Sequence, residues 1–128
     1  MVLGAIAKFL RENSSIQDVY PRTAVIANPT SPYLKVWEDE ASGDMLDNGG
    51  QGVFVSCHVP PNQHKVLDAF ITGELFEILD HKVLYDEENE VHFQVYVTYM
   101  MSPEISPEEN KDGTLSRDRL VELPVRLR

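Results

Sequence analysis

An α+β fold is predicted: a mixed, mainly antiparallel four-stranded sheet with two helices packed on one face, followed by a C-terminal arm and an extra strand. Three observations predict it. Two stretches place apolar residues at helical spacing and four place them in alternation, in the order helix, strand, strand, helix, strand, strand. A chain of 128 residues, 42% hydrophobic and 25% charged, has the size and composition of one folded domain. The polar segment 102–118, with two Ser-Pro-Glu triplets, stands apart from this pattern. A core over 1–101 and an arm with its strand over 102–128 are therefore expected.

Each element has its own signal. Over 2–13, Val2, Leu3, Ile6, Phe9 and Leu10 share one helical face, and Asn13, Ser14 and Ser15 end the helix with turn-favouring residues. The segment 15–32 is less regular. Ile16, Val19 and Tyr20 are placed at the core edge, and Pro21, Pro29 and Pro32 interrupt regular structure. In Tyr33–Glu38, Tyr33, Lys35 and Trp37 alternate with Leu34, Val36 and Glu38, as in a strand. A Gly/Asp-rich connection over 42–52 leads to a second strand with Val53, Val55, Cys57 and Val59 on one face, closed by Pro60 and Pro61. The length of the connection predicts an antiparallel pair with a protruding loop.

The next helix, over 62–80, carries an apolar stripe of Leu67, Phe70, Ile71, Leu75, Ile78 and Leu79. Asn62 is a candidate cap, and Gly73 marks a candidate close contact. A hairpin follows, Lys82–Asp86 and then a long alternating strand from Val91. Beyond the arm, Leu120, Glu122 and Arg126 alternate with Val121, Leu123, Val125 and Leu127. Pro124 inside this stretch predicts an edge position or pairing with another chain.

The formal net charge of −10 argues against a protein that grips nucleic acid through its phosphates. Basic residues concentrate only near the end, as Arg117, Arg119, Arg126 and Arg128. No apolar run reaches the roughly 20 residues that span a bilayer, so no membrane partner is expected. The first cation, Lys8, falls inside the apolar pattern, which does not read as a secretory signal. Cys57, the single cysteine, excludes an internal disulfide and suits a reducing compartment.

Catalytic and metal chemistry find no pattern. Cys57 and His58 are neighbours on a strand and point to opposite faces, so Cys57 reads as a small buried hydrophobe. His58, His64, His81 and His92 include no helical i, i+4 pair, and no C-x-x-C occurs. His81 suits the C-terminal end of its helix dipole. Phosphate-binding glycine loops, dinucleotide fingerprints and G-x-S-x-G elbows are absent from the sequence. The acidic stretch after Tyr33–Glu38 deserves its own test as a calcium loop. Started at Asp39, the template puts Ala41, Gly43, Asp44 and Gly50 where ligands, a glycine and a bidentate glutamate belong. It fails, and no cofactor is expected. Trp37, Glu38, Asp39, Glu40, Asp44 and Asp47 are instead assigned to a partner-facing or lumen-facing surface.

The order of an amphipathic helix, the "SPYLKVWED" strand, an acidic loop, the "GVFVSCHV" strand, the helix "HKVLDAFITGELFEILD" and the strand "VHFQVYVTYMM" resembles the tail terminator and head–tail joining proteins of long-tailed bacteriophages. The resemblance covers about residues 1 to 101 and implies a structural virion protein of the tail or neck, assembled in the host cytoplasm. In that family six copies form a ring that ends the tail tube and presents a surface to the head connector or stopper. DNA passes through without specific binding, which an acidic wall favours because cationic walls retain phosphates. The resemblance implies no catalytic residue. Leu120, Val121, Leu123, Val125, Arg126 and Arg128 are then expected to form an inter-subunit strand. The alternatives are another phage neck or minor tail completion protein, or a small acidic adaptor or inhibitor that binds one partner.

Overall fold

The computed structural model describes residues 2–26, 29–38, 51–88, 90–98, 108–123 and 126–127. Helix α1 (Val2–Asn13) follows its periodicity: Ile6, Ala7 and Leu10 are buried, whereas Gly4, Lys8, Arg11 and Glu12 face outward. Its last turn is closed by Ser14, whose N–H donates to the Leu10 carbonyl at 3.0 Å and whose hydroxyl turns to the Ile16 carbonyl at 2.7 Å. Strand β1 (Val19–Pro21) then lies parallel to β2 (Tyr33–Glu38). Pro21, which has no N–H to give a ladder, sits on an edge strand as expected of proline.

Strand β3 (Gln51–Val59) pairs antiparallel with β2, from Tyr33 opposite His58 to Glu38 opposite Val53. A single 3₁₀ turn, Pro61–Gln63, opens the second helical region. It continues as α2 (His64–Ala69), a π turn (Phe70–Glu74) and α3 (Leu75–Leu79). The predicted helix is present, but Asn62 makes no capping bond because it lies within the 3₁₀ turn. The close contact expected at Gly73 is also absent, since a side chain there would meet nothing within 4 Å. His81 leaves the helix with φ 62 and lies 3.1 Å from the carboxylate of Asp80.

The remaining strands are β4 (Val83–Asp86), β5 (Val91–Gln94), β6 (Tyr96–Val97), β7 (Glu108–Glu109), β8 (Leu115–Leu123) and β9 (Arg126–Leu127). The main sheet has the order β1-β2-β3-β8-β6, with β7 also on β8, and a smaller sheet has the order β4-β5-β9. Only β1 and β2 are parallel. The sheet is thus larger than the four strands expected, within the predicted α+β class. The two sheets run into one another, because β6 follows β5 and β9 follows β8. Tyr96 faces Glu122 and Phe93 faces Arg126. Between β5 and β6, Val95 extends the pairing with the β4 side: its N–H donates to the Lys82 carbonyl at 2.9 Å, and its carbonyl accepts from the His81 N–H at 2.8 Å.

The C-terminal expectation needs correction. Residues 108–123 form part of the sheet, and β8 is central, paired with β3 on one side and with β6 and β7 on the other. It is not an edge strand: Leu120, Val121 and Leu123 pair within the chain. Val125 and Arg128 lie outside the described residues. β8 ends at Leu123, before Pro124, and the edge position falls instead to β9, where Arg126 pairs with Phe93 at the side of the smaller sheet.

One face of the sheet is covered by helices. Leu34, Val36, Val53, Val55, Cys57, Val59 and Val121 join Ile6, Leu10, Leu67, Ile71, Leu75 and Leu79 in a single core. Helix α1 touches β4 and also β1 and β2, at opposite ends of the strand order, while α2 lies on β3 and β8. Two arginines of β8 also face the helices. Arg117 Nε meets Asp68 at 3.0 Å, and Arg119 is buried.

Candidate interaction surface

The alternation that buries Leu34 and Val55 sends Tyr33, Lys35 and Trp37 of β2, and Phe54, Ser56 and His58 of β3, to the other face. Cross-strand register aligns them in rows with β8: Tyr33, His58 and Ser116; Lys35, Ser56 and Asp118; Trp37, Phe54 and Leu120. Val83, Tyr85 and His92 of β4 and β5 are exposed, and Tyr85 lies 4.8 Å from the His92 ring. Among the described residues, no helix covers this face.

Its best-defined aromatic group contains Trp37, which the sequence assigns to a partner-facing surface. Trp37 stacks on Phe54 at 5.5 Å between ring centroids, and the Arg22 guanidinium lies 4.8 Å above the indole. Trp37 is half-buried and Glu38 beside it is exposed. The structure therefore holds a partly buried aromatic pair, capped by Arg22, at the point where the acidic stretch begins. Asp39, Glu40, Asp44 and Asp47 lie outside the described residues.

At the other end of the rows is a buried polar cluster that the sequence reading did not single out. Ser56 Oγ and His58 Nε2 are 2.9 Å apart. Residues two apart on one strand share a face, and that spacing, not the adjacency of Cys57 and His58, is the signal of this cluster in the sequence. Tyr33 stacks on the His58 ring at 4.8 Å, with the rings inclined by 8°. The turn from Asn110 to Thr114 closes over them. Tyr33 donates its hydroxyl to Asp112, Thr114 Oγ1 donates to Asp112 at 2.6 Å, and Asn110 Nδ2 donates to Ser116 Oγ at 3.0 Å. Gly113, at φ 86, supplies the left-handed residue of the turn.

A serine beside a histidine invites a nucleophilic reading, which the geometry does not favour. A histidine base needs an acceptor behind its far nitrogen, but Asn110 brings an N–H within 3.4 Å of His58 Nδ1. With that nitrogen accepting, the imidazole proton sits on Nε2 and points at Ser56, which then cannot be deprotonated by it. Ser56 is 1% exposed and His58 7%, and neither lines the groove between α1 and β4 or the smaller one beside Tyr20 and Pro29.

The electrostatics agree with a holding role. Burial, helped by Lys35, keeps the His58 imidazole below its ordinary pKa, and so neutral. Burial and the bond to Asp112 push the Tyr33 phenol up to about 12. Burial alone would raise Asp112, but bonds from Thr114 and Tyr33 outweigh it and hold the carboxyl below its usual value. Cys57 is fully buried, and its thiol is pushed up to about 12 by burial and by Glu74, which leaves it unreactive.

Among the described residues there is no cluster of His, Cys, Asp and Glu able to hold a metal ion, and no helix long and apolar enough to cross a membrane. Comparison with protein-family models, with curated proteins and with solved structures found no match.

Proposed function

We propose that the chain is a structural subunit of a phage-type tail or neck, acting by assembly into a ring that terminates the tail tube and joins it to the head connector. The observation that carries this reading is the Trp37–Phe54 pair beneath Arg22, at the end of the sheet face that the Asn110–Thr114 turn does not close, beside the acidic stretch. Aromatic and arginine side chains grouped in this way are characteristic of contact surfaces. The α+β architecture, with both helices on one face, supports the family resemblance carried by the order of elements. The net charge of −10 suits the wall of a DNA conduit, where repulsion from phosphate keeps the polymer moving.

In this reading the Trp37–Phe54 pair meets the neighbouring tube or connector protein, and the acidic stretch lines the lumen or the adjoining ring. Native mass spectrometry with negative-stain microscopy tests it. Annular hexamers that bind the open end of tail tubes are expected. A stable monomer that ignores tail tubes but forms a one-to-one complex with a single partner would favour the acidic adaptor instead.

A further inference from the structure

Two surfaces at opposite ends of the strand order complement one another. At the β1 end, a turn closed by a bond from the Ala24 N–H to the Pro21 carbonyl at 3.1 Å carries the exposed Arg22. Val25 follows directly after it and is 95% exposed. It is an apolar knob that none of the described residues covers.

At the β4 end, the outer edge of the strand has no partner strand among the described residues. Val83 and Tyr85 on it are 48% and 46% exposed. Between β4 and α1 lies an open groove of about 620 Å³, floored by Phe9 and Tyr85 and rimmed by Lys8, Glu12, Glu87 and Glu88. Lys8 pairs with Glu87 at 3.2 Å. One lysine against three glutamates leaves the rim a formal charge of 1 − 3 = −2.

We infer that Val25 of one copy seats in the β4–α1 groove of the next copy, with Arg22 facing the glutamate rim. The occupant is a second copy because the chain carries both halves of the contact, a cationic apolar knob and an acidic apolar groove, on different surfaces. Such a contact is heterologous: each copy uses its knob toward one neighbour and its groove toward the other, which generates a closed ring or an open filament. It also covers the β4 edge, which would otherwise remain open to indiscriminate strand pairing. The inference rests on the ring reading and names the contact that would build it.

Two single variants test it together. Val25→Asp spoils the knob and leaves the groove, whereas Gly4→Trp fills the groove from the outer face of α1, where an added side chain meets nothing within 4 Å. Both positions are exposed, and circular dichroism melts matching the parent chain establish folding. Each variant alone is expected to be monomeric by native mass spectrometry. Their mixture is expected to form a heterodimer and nothing larger, because one intact knob and one intact groove remain. A charge exchange gives a second readout: Arg22→Glu or Glu87→Arg alone weakens assembly at least tenfold, and the two combined restore it.

Rings that persist in both variants would overturn the contact and leave the ring reading standing. Open filaments of the parent chain that are abolished by either variant would support the contact and overturn the ring. A mixture that stays monomeric, or a parent chain that never associates, would overturn the contact.

Discussion

Arg119 of β8 donates through Nη1 to the carbonyl of Ile71 at 2.5 Å, joining the central strand to the π turn of the second helical region. The widened turn explains why that carbonyl is available. The Leu75 N–H reaches back five residues to Phe70, where an ordinary helix would send it to Ile71. Arg119 Nε also serves the Thr98 carbonyl at 2.8 Å, and the guanidinium lies over the Phe76 ring. Arg119→Ala should therefore cost about 2–4 kcal/mol, since it leaves two buried carbonyls without donors. Arg119→Lys should cost roughly half as much, by keeping one bond. Urea unfolding followed by Trp37 fluorescence measures both, and a loss under about 1 kcal/mol for alanine would refute the account.

His58 predicts the acid side of the stability curve. A buried imidazole held below its usual pKa binds fewer protons in the folded state than in the unfolded chain, so folding is favoured at higher pH. Stability should fall as pH drops below the unfolded value of about 6.5, and continue to fall until the folded group titrates. His58→Gln should remove most of that slope between about pH 7.5 and about pH 5.5. An unchanged slope would show that the Asn110–Thr114 turn does not depend on a neutral His58.

The alkaline side belongs to Tyr33. Its phenol is raised to about 12, so the folded state keeps a proton that the unfolded chain gives up near pH 10. Stability should decline through that interval, and Tyr33→Phe should flatten the decline. Melting temperatures taken across the range decide the matter.

Cys57 should resist thiol reagents. It is fully buried with its thiol pushed up to about 12, so thiolate is scarce and access is closed. Labelling by an aromatic disulfide reagent should follow the unfolding curve in urea, with no fast phase in buffer. A rapid stoichiometric reaction in buffer would contradict the burial.

Removing the chain from Thr114 onward should abolish folding, since it takes away β8 and β9. Circular dichroism is expected to lose its cooperative transition. A truncated chain that melted cooperatively would mean that β8 is dispensable to the sheet.

The parts of this fold written in local periodicity were legible in the sequence: α1, β2 and β3 stand where their patterns placed them, because each buries one face against a single core. What was hidden depends on long-range pairing. β8 carries Arg117 and Arg119 on its core face, so its pattern lacks the apolar alternation of β3, and only Asp68 and two backbone carbonyls make those charges tolerable there. The Ser56–His58 cluster needs a turn some fifty residues away to close it, and no spacing rule predicts that closure. Alternation put Trp37 on the face away from the core, where it is half-buried against Phe54, but grouped Glu38 with Leu34 and Val36, and only its place at the end of β2 leaves it exposed.

The central position of β8 also sets the order in which the fold is assembled. The halves it joins, β1 to β3 and β4 to β6, both precede it along the chain. Until it inserts, β3 and β6 each present an open edge above apolar core residues, and the two halves cannot close as one sheet. Synthesis therefore yields an incomplete intermediate whose exposed strands are templates for wrong pairing, and the final step must bridge the largest sequence separations. Maturation of the chain should accordingly be slow and dependent on dilution or on a holdase, a demand arising from the place of one strand.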